Sequence, residues 1–268
     1  MYKRQSVEVP ETEALIVKAT AADNYMFYRW VEEGTETVIS YRHTYSYEGT
    51  EDKTLVAEFV EKDYPIMTRF YVTDLNQQNR YLGSVSYTAG DNTETLFTCA
   101  TQEELPFTEY KKLHTPQVEG AVIDKTENPI RLEEGVENFS MNFKQYNEDI
   151  TYNNGYRDIV CEPEIVWSYQ TLYIDWNNDK EFSGENEIYA AVGNNSGDNT
   201  FDDPDGNVTE GWDRTITVPA ETAPGTYRMR VVYMGPDPWS NDWPSKVFTE
   251  FYNEIRNGIA YDFEIAIS

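Results

Sequence analysis

The chain has 268 residues, with 21 Lys and Arg set against 48 Asp and Glu, for a formal net charge of −27. Such a surface repels phosphate backbones and anionic lipid, which argues against nucleic acid and membrane surfaces as partners and favours cations. Aromatic residues at 15% (21 Tyr, 12 Phe, 6 Trp) supply more buryable area than disordered chains carry, so the chain is read as folded; no apolar run of about 18 residues is present to form a membrane-spanning helix.

The first five residues, MYKRQ, look adapter-derived, which places the natural N-terminus outside the chain and makes the absence of a signal peptide uninformative. Beyond them the recurrent signal is period-two alternation in short segments bounded by Gly, Asn, Asp and Pro, the pattern of half-buried antiparallel strands. Residues 6–62 compress several short strands into a compact stretch, and the organisation breaks between Glu61 and Pro65. His43 lies in the strand-like YRHTYSY and reads as a strand residue, packed or at the surface, rather than a base. Cys99 and Cys161 read as two small buried thiols, with a single disulfide between them as the other possibility. Short helical turns are predicted around Gln102–Leu113 and Val247–Ile255.

Strand signals then follow in order. In TLYIDW, Leu172, Ile174 and Trp176 share a face; in RTITVP, Ile216 and Val218 do. PAETAPG, with Pro219, Pro224 and Gly225, reads as a turn between neighbouring strands. TYRMRVVYM places Tyr227, Met229, Val231 and Tyr233 on one side. The terminal YDFEIAI sets Tyr261, Phe263, Ile265 and Ile267 on one face and Asp262, Glu264 and Ala266 on the other, and should close a sheet. No repeat of 20 to 50 residues recurs, which argues against a solenoid or propeller. The predicted class is all-β, a small β-rich module (6–62) followed by an antiparallel β-sandwich (66–268).

Two resemblances sharpen this. ATAADNYMFYRWVEEG, with its aromatics and Trp30 before a turn, followed by TYSYEGTEDKTLVAEF ending in Thr54, Leu55, Ala57 and Phe59, resembles the InlB-type B-repeat of bacterial surface proteins over about residues 7–62. In that reading Phe27, Trp30, Leu55 and Phe59 are core residues. LYIDWNNDKEFSGENEIY (Leu172–Tyr189) followed by ITVPAETAPGTYRMRVVYM (Ile216–Met234) resembles the GEVED domain of secreted bacteroidetal proteins over about residues 66–268. Where that family reads G-E-V-E-D-Y, this chain has Gly258, Ile259, Ala260, Tyr261, Asp262 and Phe263, so the glycine, the aspartate and an aromatic remain and both glutamates are gone. The resemblance implies a β-sandwich module of an exported, often multidomain protein, and no catalytic activity.

The strongest candidate site follows the strand TLYI. Asp175, Asn177, Asp179 and Glu181 fall at i, i+2, i+4 and i+6, a spacing that can fold hard oxygen ligands around one calcium ion. Lys180 stands where such loops take Gly, and Asn186 where they take a bidentate Glu; Glu185 or Glu187 can supply that last ligand. The competing reading is an acidic hairpin in which Asp175 and Asn177 bond backbone amides. A second acidic stretch, carrying Asp198, Asp202, Asp203, Asp205 and Asp213, reads as a solvated surface loop. In GPDPWSNDWPSK, Trp239 and Trp243 lie four apart in a proline-broken loop, either as a lid over the sandwich end or as flat faces for sugar rings.

Catalytic signatures are sparse: no G-x-S-x-G, no H-E-x-x-H, no phosphate loop, and only His43 and His114 as imidazoles. The sequons at Asn138, Asn194 and Asn207 matter only in a glycosylating pathway. The expected function is a non-enzymatic extracellular or outer-cell-surface module for structure or adhesion, with structural calcium and a glycan or host-surface protein as partner. The alternative is a carbohydrate-binding module working through Trp239 and Trp243.

Overall fold

The computed structural model describes residues 14–22, 24–47, 52–70, 81–105, 118–119, 122–146, 148–153, 157–161, 168–184, 186–194, 211–234, 253–256 and 258–268. Their regular secondary structure is strand throughout, apart from one 3-10 turn at Gln102–Glu104. They divide into two units, one holding the described residues up to Ile66 together with Asn253, the other holding the rest, so that the strand Asn253–Arg256 has its first residue in the first unit and the others in the second.

The first unit contains β1 (Leu15–Lys18), β2 (Tyr25–Glu32), β3 (Val38–Ser40), β4 (Thr44–Tyr47) and β5 (Leu55–Glu61). β1 pairs with β4, and β2 lies between β3 and β5, all antiparallel. Phe27 and Trp30 are buried on β2 with Ala19 beside them, and Leu55, Ala57 and Phe59 of β5 pack against this cluster. The Phe27 ring lies 5.7 Å from that of Trp30 and 6.0 Å, edge-on, from that of Phe59. The Trp30 indole N–H donates to the Arg42 carbonyl at 3.1 Å, so the ring is buried without an orphaned donor. The four expected core residues therefore do meet.

The second unit follows with β6 (Met67–Phe70), β7 (Leu82–Ala89), β8 (Asn92–Thr98), β9 (Val118–Glu119), β10 (Val122–Asp124), β11 (Ile130–Leu132), β12 (Asn138–Gln145), β13 (Ile150–Asn153), β14 (Asp158–Cys161), β15 (Ser168–Asp175), β16 (Ile188–Asn194), β17 (Gly211–Thr217), β18 (Gly225–Met234), β19 (Asn253–Arg256) and β20 (Gly258–Ile267). Two sheets form a sandwich, one ordered β17-β12-β7-β8, the other β10-β20-β18-β15-β16 with β11 also alongside β20. Period-two alternation sends Phe139, Met141 and Phe143 of β12 and Ile216 of β17 into the same core as Leu172, Ile174, Met229, Val231, Phe263 and Ile265 of the larger sheet. Phe97 stacks on Tyr261 and Phe263 at 5.6 and 6.1 Å between ring centres, and the Tyr261 hydroxyl accepts the Leu82 N–H at 3.1 Å, tying the sheets together. Truncating a wholly buried ring such as Phe263 to Ala would cost about 3–5 kcal/mol.

Three local expectations are corrected, and one is met in part. Of the helical turn expected at Val247–Ile255, residues 247–252 lie outside the described ones, and Asn253–Arg256 is strand, because it joins β6 in a small sheet ordered β19-β6-β9, where ladder bonds override a weak helical pattern. The short helical turn expected around Gln102–Leu113 is present as a 3-10 turn at Gln102–Glu104, residues 106–113 lying outside the described ones, and Gln102 clamps it to β13 by accepting the Thr151 N–H at 2.8 Å. PAETAPG does not join neighbours in one sheet: β17 and β18 belong to opposite sheets, and the Thr222 N–H bond to the Pro219 carbonyl at 3.0 Å turns the chain across the sandwich. β20 does not close its sheet, since β10 and β11 add to its outer side in parallel, the exceptions to an otherwise antiparallel sandwich. Cys99 is a free thiol, partly buried against the core, and burial holds its pKa above the usual value.

Candidate functional site

The hairpin between β15 and β16 carries the expected acidic loop. Alternation along β15 turns Ile174 into the core and Asp175 to the opposite face, where it is nevertheless fully buried. Phe182 explains this: wholly buried, it folds back over that face, 5.6 Å from the Tyr173 ring and 5.3 Å from the Arg230 guanidinium. Apolar anchoring by one loop residue thus withdraws the start of the loop from water.

Within the hairpin the side-chain oxygens are turned toward backbone N–H groups. Asp175 accepts from Asp179 at 3.2 Å on one oxygen and from Lys180 at 2.9 Å on the other. Asn177 accepts the Asp179 N–H at 2.8 Å, while Asp179 accepts the Glu181 N–H at 2.8 Å and the Asn177 side-chain amide at 3.2 Å. Glu181 accepts from the Ser183 hydroxyl at 3.3 Å. From the far end Glu187, buried with 1% exposure, accepts the Gly184 N–H at 2.7 Å and the Asn177 N–H at 3.4 Å. Short polar side chains bonding backbone two to five residues away stabilise a tight irregular loop.

Lys180 has φ +63°, the left-handed region, flanked by Asn178 at +57° and followed by Asn186 at +66°. The sharp turn that calcium loops take at the sixth position is therefore present in conformation although Gly is absent, and lysine carries the strain. Burial pushes the Glu187 carboxyl above the usual glutamate value; its two backbone bonds pull against that, and Asp175 and Asp179 nearby raise it further. Asp175, Asn177, Asp179 and Glu187 are thus brought into one hydrogen-bonded cluster, with Glu181 at its margin. Among the described residues, no three Asp, Glu, His or Cys side chains form a group that could hold a metal ion.

Trp239 and Trp243 lie outside the described residues, as do Asp198, Asp202, Asp203, Asp205, Glu185 and His114. Asp213, expected in the long acidic loop, is instead in β17, where it accepts the Asn142 side-chain amide from β12. His43 precedes β4 and offers its carbonyl to the Ala19 N–H at 2.8 Å.

A second charged cluster escapes the sequence reading. Asp262, assigned to a polar face, is 3% exposed, and Arg230 is 2% exposed. Asp262 accepts from Arg230 Nε at 2.6 Å and Nη2 at 2.9 Å, and from Arg228 Nη1 at 3.0 Å. The signal was there: Arg228 and Arg230 lie two apart on one face of β18, opposite the one acid of β20 that reaches both. One bidentate contact from Arg230 and a single one from Arg228 make this a structural cluster whose aspartate is already occupied, not a reactive centre.

The described architecture is therefore an antiparallel-rich β-sandwich whose buried carboxyl groups accept from backbone N–H groups or from arginine. Its residues 169–265 match the family model of the GEVED domain. That span runs from β15 to β20, so it holds the core strands of the larger sheet but only the edge strand β17 of the smaller one. No curated protein and no solved structure matches the chain. The match begins about a hundred residues later than the resemblance in the sequence suggested, and in the described fold β12, β7 and β8 cover the inner face of the matched strands.

Two residues retained from the G-E-V-E-D-Y pattern have visible reasons. A Cβ on Gly258 would meet Met234 Cβ at 2.4 Å and the Tyr233 carbonyl oxygen at 2.5 Å, so only glycine lets β20 approach β18 at that point. Asp262 anchors the two arginines. The two glutamate positions are filled by Ile259 and Tyr261, both inside the core.

Proposed function

We propose that this chain is a non-enzymatic module of an exported, surface-associated protein, in which a small B-repeat-like unit (6–62) precedes a GEVED-like sandwich (66–268), and that its work is structural or adhesive. The observation that carries this is the state of the buried charges: Asp175 and Glu187 are committed to loop N–H groups, and Asp262 to Arg228 and Arg230. A general base or nucleophile needs a lone pair aimed at a substrate position, and these are aimed at the protein's own backbone or side chains. The GEVED match over residues 169–265 supports an extracellular or outer-surface setting.

Structural calcium at the Asp175 loop belongs to the same proposal. In this reading Asp175, Asn177, Asp179, Glu181 and Glu187 turn in part from their backbone partners onto the ion, since as described no three of their carboxyl groups are gathered for one, and the left-handed turn at Lys180 supports it. Carboxylate oxygens accept more than one contact each, so the backbone bonds and an ion are compatible in kind. The alternative function is carbohydrate binding through Trp239 and Trp243.

The test is incubation of the purified chain with immobilised glycans and with host-surface proteins, beside a Trp239→Ala/Trp243→Ala variant, with the supernatant analysed for glycan products. Retention on protein that the double variant preserves supports adhesion. Glycan retention lost in the variant establishes the carbohydrate reading, and release of shortened glycan overturns the non-enzymatic one.

A further inference from the structure

At one edge of the sandwich a cleft of about 930 Å³ opens between the β11–β12 turn, the start of β16 and the β17–β18 corner. Its volume lies in the range of ligand-binding clefts, about 300–1,000 Å³. Leu132, Val218 and Ile267 supply an apolar floor, and Ile188 stands beside it with 40% of its surface exposed. Glu133, Glu134 and Glu137 line it from one turn, and among the described residues that line it there is no Lys, Arg or His.

The backbone around the cleft is also open to pairing. Among the described residues β16 has one hydrogen-bonded neighbour, β15, and β17 has one, β12, so two sheet edges border the same opening. Tyr189 of β16 bridges them by donating its hydroxyl to the Thr217 carbonyl at 3.4 Å, which fixes the width of the gap on that side. An unpaired strand edge is a ready template for an added extended segment. A second copy of this chain is a poor occupant, since each carries a net charge of −27.

We propose that this cleft is a docking groove for an extended, lysine- or arginine-bearing segment of a partner protein. Apolar side chains of the segment enter over Leu132, Val218 and Ile188, alternate basic ones meet Glu133, Glu134 and Glu137, and its backbone lies along the open edge of β16. Steering by the acidic rim raises the encounter rate, and the apolar floor sets residence. The inference deepens the adhesive reading and rests on it only in taking the partner to be a protein.

The test is titration of the full chain with a synthetic peptide of alternating lysine and valine, and with its glutamate–valine counterpart, followed by fluorescence anisotropy. The expected result is binding of the lysine peptide alone, weakened about tenfold or more by Glu133→Gln/Glu134→Gln/Glu137→Gln, all at exposed or turn positions, and by Ala220→Trp, which fills the cleft. The control removes the same charge elsewhere, with Glu36→Gln/Glu61→Gln/Glu127→Gln, and should change affinity less than twofold. Equal weakening by both triple variants, an unchanged affinity in Ala220→Trp, or equal binding of the glutamate peptide overturns the groove. Peptide binding without any adhesion to host-surface proteins would keep the groove and remove the adhesive reading; adhesion that survives both cleft variants would do the reverse.

Discussion

The Glu187 carboxylate occupies the space where a side chain on Gly184 would stand: a Cβ built there would lie 2.6–2.8 Å from the Glu187 Cδ and both carboxylate oxygens. The same carboxylate accepts the Gly184 N–H at 2.7 Å. The closing turn of the hairpin is thus shaped around one buried acid. Gly184→Ala must displace it and break its bond to the part-buried Gly184 N–H, at a cost of about 0.5–1.5 kcal/mol. Urea unfolding of Gly184→Ala beside wild type measures this, and an unchanged midpoint contradicts it.

Acidity gives a second handle on the same residue. Because burial raises the Glu187 pKa in the folded state, that state holds its proton more tightly than the unfolded chain does. The stability this group contributes is fully present below its ordinary value of 4.5 and is lost as pH rises through the raised folded value. Wild type should therefore gain stability relative to Glu187→Gln as pH falls from about 7 to about 4.5. Denaturant melts of both proteins across that range read the difference directly; a constant difference, or one of opposite slope, contradicts the placement of this side chain.

The Asp262–Arg230 pair should behave as a buried ion pair. Asp262→Asn removes the charged acceptor that Arg230 and Arg228 share, beside a guanidinium with 2% exposure, and the expected loss is about 3–5 kcal/mol. Replacing both partners by apolar residues, Arg230→Met/Asp262→Leu, should recover most of that loss. A double variant as unstable as the single one would show that the pair is needed for more than mutual neutralisation.

Gly258→Ala forces an atom into the gap between β20 and β18, against backbone on one side. Overpacking of this kind costs about 1–3 kcal/mol. Hydrogen exchange of the β18 and β20 amides should accelerate near Tyr233 and Met234, and unchanged protection there would sink the close-approach argument.

Much of the sandwich was legible because period two survives wherever one face is buried: Tyr227, Met229, Val231 and Tyr233, and Tyr261, Phe263, Ile265 and Ile267, fall on the core as read. The acidic hairpin was legible in place and partly in chemistry, since Asp175 and Asn177 do bond loop amides. What alternation could not convey is burial on both faces of a strand. Asp175, Arg230 and Asp262 are covered on the far side of the larger sheet, with Phe182 packed over Arg230, a contact whose partners are far apart in sequence. Nor does a turn motif say which sheet receives the next strand, and PAETAPG therefore read as a turn between neighbouring strands when it is a corner between sheets.

The most direct test of the central claim, that the Asp175 hairpin is a structural brace of a non-catalytic module and is strengthened by calcium, is a thermal melt in EDTA and in millimolar calcium. Wild type should melt about 5–10 °C higher at a hundredfold excess of calcium over its dissociation constant, as expected for about 2.7 kcal/mol of linkage in a domain of this size. Asp175→Ala and Asp179→Ala should abolish the rise. An identical melting temperature for wild type in both buffers would contradict the calcium brace and leave a hairpin held by its own carboxylates alone.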